Sequence, residues 1–334
     1  MIKASLQHRS SSQSPLLRAA TPSYHRIKVS VPTMPPPKGS FNPIEGPGDY
    51  DTTSVIHNDT YPAIDSAKAD LAGKAVFISG ATRGIGKSIS VSFAKAGASM
   101  IAIGGRSSLG ETAKAMRAAA ASVGKPEPKI LELKLEVTNQ ESVDKAAAEI
   151  KKIFGRIDIV VNNAGVLSSG LIAEADPETW WNTMAVNVKG PYLVMRALVP
   201  LMLEADDGLK TFVTVSSVGA HCRSAGLSAY QTSKLAVLRL TEFLNADYGD
   251  KGIIAFSIHP GNVMTDMAEG ISEDLAHIFV ETPELAADSI VYLTKERREW
   301  LGGRYVNVTW DLPELLEMED EIVKGGKLKV QLVL

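Results

Sequence analysis

From Gly73 onward, short runs of β-branched and other apolar residues alternate with longer Ala-rich segments in which apolar residues recur at helical spacing. The short runs predict seven strands, at Ala75–Ser79, Met100–Ile103, Ile130–Val137, Ile157–Asn162, Thr211–Val215, Ile253–His259 and Tyr305–Val308. The longer segments predict helices near 86–96, 110–122, 140–154, 184–203, 231–249 and 284–294. Because strands and helices alternate, we expect a single α/β domain, with a doubly wound, seven-stranded parallel sheet and helices on both faces.

The chain on either side of this pattern has a different composition. Residues 1–44 contain six Lys and Arg residues but no Asp or Glu, with clustered serines and prolines. A leader of this kind is typical of an organelle transit peptide; the alternatives are a disordered tail, or Met34 as the true start. Residues 41–70 are polar, and we expect a surface arm or disorder. The sequence therefore divides into an extension (1–70), a catalytic domain (71–310) and a closing segment (311–334) that packs on the domain or on a partner subunit.

Composition excludes several classes of function. A formal charge of −3 over 334 residues gives the chain no electrostatic reason to bind nucleic acid. No segment has the roughly 18 to 20 uninterrupted apolar residues that span a bilayer, so no membrane partner is expected. Cys222 is the only cysteine, which excludes an intrachain disulfide, and no spaced set of ligands indicates a metal. We expect a cytoplasmic protein, or a mitochondrial one if residues 1–40 act as a transit peptide.

A glycine-rich turn follows the first predicted strand and opens the first helix. It reads Gly80-Ala81-Thr82-Arg83-Gly84-Ile85-Gly86. Such a turn presents backbone N–H groups and the positive end of a helix dipole to a phosphate. The alternative is an ordinary tight connection between a strand and a helix.

The second predicted strand leads into Gly105-Arg106, with no acid nearby in the sequence. A carboxylate at this point binds the adenosine ribose of NAD, whereas a guanidinium suits the 2′-phosphate of NADP. Arg83 in the glycine turn can serve the same phosphate. The pattern favours NADP(H) as cofactor; the alternative is two solvated surface arginines.

Tyr230 and Lys234 are four residues apart at the start of a predicted helix, so they lie on one face of it. An ammonium group stabilises a nearby phenolate, so we expect Lys234 to lower the pKa of Tyr230 towards neutrality. Ser216 and Ser217 end the fifth strand, where the hydroxyl of either can hold a carbonyl oxygen beside the phenol.

Taken in order, these motifs resemble the short-chain dehydrogenase/reductase family. The resemblance also includes Asn162-Asn163-Ala164-Gly165, Asn187 and Pro260-Gly261, and covers about residues 73–310. It implies a Rossmann fold and a catalytic tetrad of Asn187, Ser217, Tyr230 and Lys234. In that tetrad Tyr230 is the acid/base, Ser217 positions the carbonyl, Lys234 binds the nicotinamide ribose, and Asn187 holds a water.

The same resemblance implies a set of cofactor-binding residues. These are Gly80, Arg83, Gly84, Ile85, Gly86, Arg106, Glu136, Asn163, Tyr230, Lys234, Val263 and Thr265. Val263 and Thr265 are the pair expected at the nicotinamide carboxamide. The family usually has Asp where Glu136 stands and Thr where Ser79 stands.

The implied activity is NADP(H)-dependent reduction of a small to medium, fairly hydrophobic ketone or aldehyde. We expect Val166, Leu167, His221, Cys222 and Ala225 to line its pocket under a lid at 267–281. The leader and the ending at 310–315 resemble fungal members of the family, many of which tailor secondary metabolites. The family commonly forms homodimers or homotetramers through the helices at 184–203 and 231–249. The alternatives are NAD-linked alcohol oxidation, a non-catalytic NADP-binding sensor or scaffold, and an epimerase or dehydratase of the longer branch.

Overall fold

A parallel sheet is the centre of the computed structural model, which describes residues 49–267 and 278–332. Its strands are β1 Ala75–Ser79, β2 Met100–Gly105, β3 Lys129–Lys134, β4 Ile159–Asn162, β5 Thr211–Val215, β6 Ile254–His259 and β7 Tyr305–Asn307. Their order across the sheet is β3-β2-β1-β4-β5-β6-β7, and all neighbours are parallel. The order reverses between β1 and β4, which confirms the predicted doubly wound, seven-stranded sheet.

Helices cover both faces of this sheet. They are α1 Gly84–Lys95, α2 Gly110–Ser122, α3 Gln140–Phe154, α4 Pro177–Met184, α5 Gly190–Leu203, α6 Ser228–Tyr248, α7 Pro283–Thr294, α8 Leu312–Glu317 and α9 Glu319–Lys324. Within the described ranges, no helix combines the length and apolar character needed to cross a membrane.

The predicted helix at 184–203 is wrong at its start. In the structure α4 begins at Pro177, with the Asp176 carboxylate accepting a hydrogen bond from Thr179 N. A π-helical turn at Ala185–Lys189 then joins α4 to α5. Asp followed by Pro is a helix-start signal that the apolar periodicity alone did not register.

The apolar strands are continuous runs because both sheet faces are buried. In β1, Val76 and Ile78 belong to the cluster packed under α1, α2 and α7. Ala75 and Phe77, on the opposite face, belong to the cluster packed under α3 and α5. The sheet therefore has no solvent-exposed face at β1, and its carboxyl edge is the free place for a ligand.

The segments that flank the sheet pack together near β7. Ile56 forms an antiparallel bridge with Trp310, and Glu314 accepts hydrogen bonds from Ser54 N and Oγ. Leu312 and Leu315 are buried in the same apolar cluster as β7. Residues 1–48, which include the predicted transit peptide, lie outside the described residues.

One buried carboxylate secures the end of the sheet opposite the predicted site. Asp158 is fully buried; it accepts a hydrogen bond from Ala75 N at 2.8 Å and a two-pronged pair from Arg156, at 2.9 and 2.6 Å. Arg156 also contacts the exposed Asp207 at 3.0 Å. The two aspartates therefore share one guanidinium but differ in burial.

We expect Asp158→Ala to lower the free energy of unfolding by about 3–5 kcal/mol, because it leaves a guanidinium and a backbone N–H without their buried acceptor. Asp207→Ala removes only an exposed partner and should cost less than about 1 kcal/mol. Urea denaturation of both variants measures the difference. If both variants lose the same free energy of unfolding, the buried hydrogen bonds of Asp158 do not stabilise the fold more than the exposed contact of Asp207 does.

Candidate functional site

A cleft of about 1000 Å³ runs along the carboxyl ends of the central strands. Every predicted cofactor-binding residue lines it: Gly80, Arg83, Gly84, Ile85, Gly86, Arg106, Glu136, Asn163, Tyr230, Lys234, Val263 and Thr265. Ser217 lines it as well, whereas Asn187 lies buried behind its wall. The structure thus brings the predicted residues to one place, at the edge where doubly wound sheets bind ligands.

The glycine turn lies directly against the chain that leaves β4. A Cβ on Gly80, whose φ is +69°, would stand 2.7 Å from Ala164 Cα, and a Cβ on Gly86 would overlap Gly80 O and Asn163 Nδ2. Asn163 Nδ2 donates to Gly80 O at 3.1 Å, and Ser79 Oγ accepts from Asn163 N at 3.1 Å. Side chains at Gly80 and Gly86 would force these two segments apart.

The N-terminus of α1 is open for an anion. Its N-cap residue, Arg83, makes no side-chain capping hydrogen bond, so the first N–H groups of the helix have no side-chain acceptor there. Thr265 approaches from across the cleft, since its Cγ2 is 3.4 Å from the position of a Cβ on Gly84. This cradle fits the diphosphate of a dinucleotide.

The two arginines predicted to bind the 2′-phosphate both have carboxylate neighbours, contrary to the expectation from the local sequence. Arg83 forms an ion pair with Asp266, and Arg106 Nη1 is 3.9 Å from Glu136 Oε2. Glu136 also accepts from Thr138 N and Oγ1, at 3.1 and 2.9 Å. The carboxylates follow β6 and β3, so only the fold brings them to the arginines. All four charged side chains are partly or largely exposed, so each pair is weak.

Lys234 is buried at the inner end of the cleft. Its Nζ donates to Val215 O at 2.9 Å and lies 5.5 Å from the centroid of the Tyr230 ring. Burial lowers the pKa of the Lys234 ammonium to about 8, because the low-dielectric surroundings disfavour its charge. Lys234 is therefore mostly charged at neutral pH and neutral above pH 8.

The two serines at the end of β5 have different partners. Ser216 Oγ donates to the carbonyl oxygen of Lys234 at 2.9 Å. The Ser217 hydroxyl is hydrogen-bonded to the Tyr230 phenol and accepts from Gly219 N at 3.0 Å. Ser217 is thus the hydroxyl beside the phenol, while Ser216 fixes the first turns of α6 to the sheet.

The expected lowering of the Tyr230 pKa is wrong for this structure. Burial raises the pKa of the Tyr230 phenol, and the hydrogen bond with Ser217 opposes that rise only in part. The ammonium of Lys234 is directed to a backbone carbonyl and is itself desolvated. Tyr230 consequently holds its proton at neutral pH, which suits a proton donor.

Asn187 lies on the π-helical turn between α4 and α5. Its side chain donates to Val166 O and Ser233 Oγ and accepts from Val166 N, all at 2.9 Å. A Cβ on Gly165 would be 3.4 Å from Asn187 Oδ1 and 3.6 Å from Lys234 Nζ. Asn187 Oδ1 and Lys234 Nζ therefore border the same space beside Gly165, which a larger residue there would fill.

The far end of the cleft is apolar. Val166, Leu167 and Ala225 line it as predicted, together with Met267, Ile278 and Phe279 from the two described ends of the predicted lid. Other predicted lid residues, Ile271 and Leu275, lie outside the described residues.

The two histidines in this region lie in different places, and only His221 differs from the prediction that it lines the pocket. His221 does not line the cleft; its ring packs edge-on against Tyr305, with centroids 4.6 Å apart, and borders a separate cavity of about 170 Å³. Cys222 is likewise absent from the described lining. His259 does line the cleft, and burial lowers its pKa to about 3, so it is a neutral polar group there.

Sequence reasoning missed three polar residues at the site. Ser233 holds the amide of Asn187, Asp266 pairs with Arg83, and Glu281 accepts a hydrogen bond from Asn262 N at 2.7 Å. Ser233 and Asp266 are next to Lys234 and Thr265 in the sequence, and that proximity could have identified them as residues of the site. No such proximity could have identified Glu281, because its partner Asn262 is nineteen residues away.

Gly86→Ala should destabilise the fold by at least about 1–3 kcal/mol, because its Cβ would meet backbone and amide atoms that cannot move aside. Gly249→Ala is the matched control, since it places a Cβ in open space at a helical φ of −63°. Thermal unfolding of both variants tests this. A Gly86→Ala protein as stable as Gly249→Ala would contradict the close approach of the two segments.

Comparison with known proteins gives consistent matches. The family model described as short chain dehydrogenase matches residues 74–276. The short chain dehydrogenase pigC of Monascus ruber is 57% identical over 90% of this chain and all of that protein. Another of that description, tazN of Aspergillus terreus, is 53% identical over 86% of this chain and 63% of its own length. The crystal structure of a short chain dehydrogenase from Burkholderia cenocepacia in complex with NADP is 26% identical, with a TM-score of 0.62, over 71% of this chain and 96% of that one. These matches confirm the resemblance drawn from the motifs, including its fungal character.

Proposed function

This chain belongs to the short-chain dehydrogenase/reductase family of oxidoreductases, and from that premise we propose that it reduces a ketone or aldehyde with NADP(H). The observation that carries the proposal is the grouping of Ser217, Tyr230 and Lys234 at the inner end of the cleft. Their hydroxyl, phenol and ammonium groups lie beside an apolar space that is open to a neutral organic substrate.

Each residue has a distinct part in the proposed reaction. The bound nicotinamide would supply the hydride that adds to the carbonyl carbon. The Ser217 hydroxyl holds the carbonyl oxygen next to Tyr230, which donates its phenolic proton to that oxygen and yields the alcohol. Lys234 binds the nicotinamide ribose, and Asn187 holds the water through which the proton of Tyr230 is replaced.

Residues from the glycine turn to the end of β6 would hold the cofactor along the cleft. Gly80, Gly84, Ile85 and Gly86 cradle its diphosphate. Glu136 and Asn163 border the adenosine half, and Val263 and Thr265 bind the carboxamide. Arg83 and Arg106 bind the 2′-phosphate. In doing so they leave their exposed partners, Asp266 and Glu136, for a group with two negative charges. Reduction is the proposed direction, because a phenol that retains its proton at neutral pH is ready to donate it.

The apolar far end of the cleft supports a small to medium, fairly hydrophobic and uncharged carbonyl substrate. The fungal sources of the relatives support a place in fungal secondary metabolism. The family premise and the intact group of Ser217, Tyr230 and Lys234 favour an enzyme over a non-catalytic sensor.

The cofactor assignment is tested by titrating NADPH and NADH into the protein and following thermal unfolding. NADPH at a hundred times its dissociation constant should stabilise the fold by about 2.7 kcal/mol, and NADH at equal concentration by much less. Arg106→Ala should weaken NADPH binding about 10- to 100-fold and leave NADH unchanged, because it removes a charge-assisted hydrogen bond to the phosphate.

Arg117→Ala is the control, since Arg117 is an exposed arginine on α2 that pairs with Glu127 outside the cleft. A preference for NADH would overturn the assignment and favour NAD-linked oxidation. Binding of NADPH without consumption across a panel of apolar ketones and aldehydes would favour the sensor alternative.

We further propose a homodimer or homotetramer built through α4, α5 and α6. Trp181, Tyr192, Leu235 and Phe243 are large apolar side chains on these helices, and 41–64% of each is exposed. Of these helices α4 packs on α6, and a contiguous patch of exposed apolar side chains is typical of an interface.

Phe243→Glu should therefore convert the assembly to smaller species, because it places a charge in the apolar contact. Val323→Glu changes an exposed apolar residue on α9 and should leave the assembly intact. Light scattering after size-exclusion chromatography measures the mass of both. A wild-type monomer, or an unchanged mass for Phe243→Glu, would exclude this interface.

A further inference from the structure

The loop Pro260–Thr265, which carries Val263 and Thr265, lies on one buried acid. Glu281 Oε2 accepts a hydrogen bond from Asn262 N at 2.7 Å. Gly261 has a φ of +81°, and a Cβ there would be 2.8 Å from the Cβ and Cγ of Glu281. Val263 and Glu281 also form a parallel bridge. Three consecutive residues of the loop are therefore placed by Glu281.

A buried carboxyl group such as that of Glu281 is an unusual group to hold a loop in place. Only 4% of it is exposed, and its second oxygen, Oε1, has no hydrogen-bond partner among the described residues. Burial raises the pKa of this carboxyl to about 8, and the N–H groups of Asn262 and of Glu281 itself only partly oppose the rise. At neutral pH the group is therefore mostly an uncharged carboxylic acid.

The charged and titratable groups on the neighbouring elements do not compensate a charge on Glu281. His259, at the end of β6, is neutral. Asp59 binds the hydroxyl of the adjacent Thr282, while Asp266 and Glu284 are exposed. His259 is thus neutral and the other three groups are acids, so none of the four supplies a positive charge to balance an ionised Glu281.

We propose that Glu281 is a positioning residue that holds the Pro260–Thr265 loop at the nicotinamide end of the cleft. The inference rests on the proposed function, since the loop is assigned to the carboxamide there. Glu281 does not line the cleft and acts through the backbone of Gly261, Asn262 and Val263.

This role predicts that NADPH binding depends on pH. The folded protein favours the neutral form of Glu281, so Glu281 holds the loop fully at low pH and loses this effect as the pH rises through about 8. Ionisation places an uncompensated charge beneath the loop and should weaken NADPH binding. Lys234 also titrates near pH 8, but it does so in every variant. The effect of Glu281 is therefore the difference in NADPH binding between wild type and a Glu281 variant at the same pH.

The test measures the NADPH dissociation constant by fluorescence between pH 6.5 and 9.5. Glu281→Leu removes the acceptor of Asn262 N and should weaken binding about tenfold at pH 7. Glu281→Gln keeps an acceptor oxygen and cannot ionise, so it should restore binding and show a smaller decline above pH 8 than wild type. Glu284→Gln changes an exposed acid three residues away and should keep the wild-type profile.

Hydrogen exchange at Asn262 N provides a readout without cofactor. This amide should be protected in the wild type and in Glu281→Gln, and should exchange faster in Glu281→Leu. Equal exchange in all three proteins overturns the proposal, as does a Glu281→Gln pH profile that coincides with wild type. If wild type binds neither NADPH nor NADH, the proposed function fails, and exchange at Asn262 still decides whether Glu281 holds the loop.

Discussion

The burial of the Lys234 ammonium is the constraint around which the inner end of the cleft is arranged. Among the described residues no carboxylate forms an ion pair with it, and its Nζ donates a hydrogen bond to the carbonyl oxygen of Val215. Such a charge is costly to bury, which is why the pKa of Lys234 is lowered to about 8. Ligand hydroxyl groups, such as those of a ribose, would supply the missing acceptors. A site of this kind is completed by its cofactor.

The same contact fixes the two groups proposed for the chemistry. Because Lys234 bonds to the end of β5, the first turns of α6 are held against that strand, and Ser216 adds a second bond between them. Tyr230, one turn earlier, is then placed beside Ser217. Burial keeps the phenol protonated, so the arrangement favours proton donation to a carbonyl over proton removal from an alcohol at neutral pH.

Much of the fold follows from local sequence, and the residues explain why. The strands Ala75–Ser79 and Thr211–Val215 match the prediction residue for residue. Each is a fully buried run of residues with a polar residue or glycine on either side, which marks both of its ends in the sequence. The start of α4 was missed because its short first turns are only partly buried and carry little apolar periodicity. The motif residues were brought to one cleft because parallel strands place their carboxyl ends on the same edge.

Properties that depend on contacts between distant segments were not predictable. Asp266 meets Arg83 across 183 positions of sequence, and Glu281 meets Asn262 across nineteen. The raised pKa of Tyr230 is a consequence of burial, which the four-residue spacing to Lys234 does not report. His221 was expected at the pocket but follows the 3₁₀ turn Val218–Ala220 and packs on Tyr305.

In the proposed reaction Tyr230 donates the proton to the carbonyl oxygen. A single-turnover measurement checks this role, in which protein saturated with NADPH is mixed with an apolar ketone and the loss of NADPH absorbance is followed. Tyr230→Phe saturated with NADPH should oxidise it at least about a hundredfold more slowly than wild type, since proton transfer by a placed side chain contributes about 10²–10⁴-fold. An unchanged rate of hydride transfer in Tyr230→Phe would contradict it.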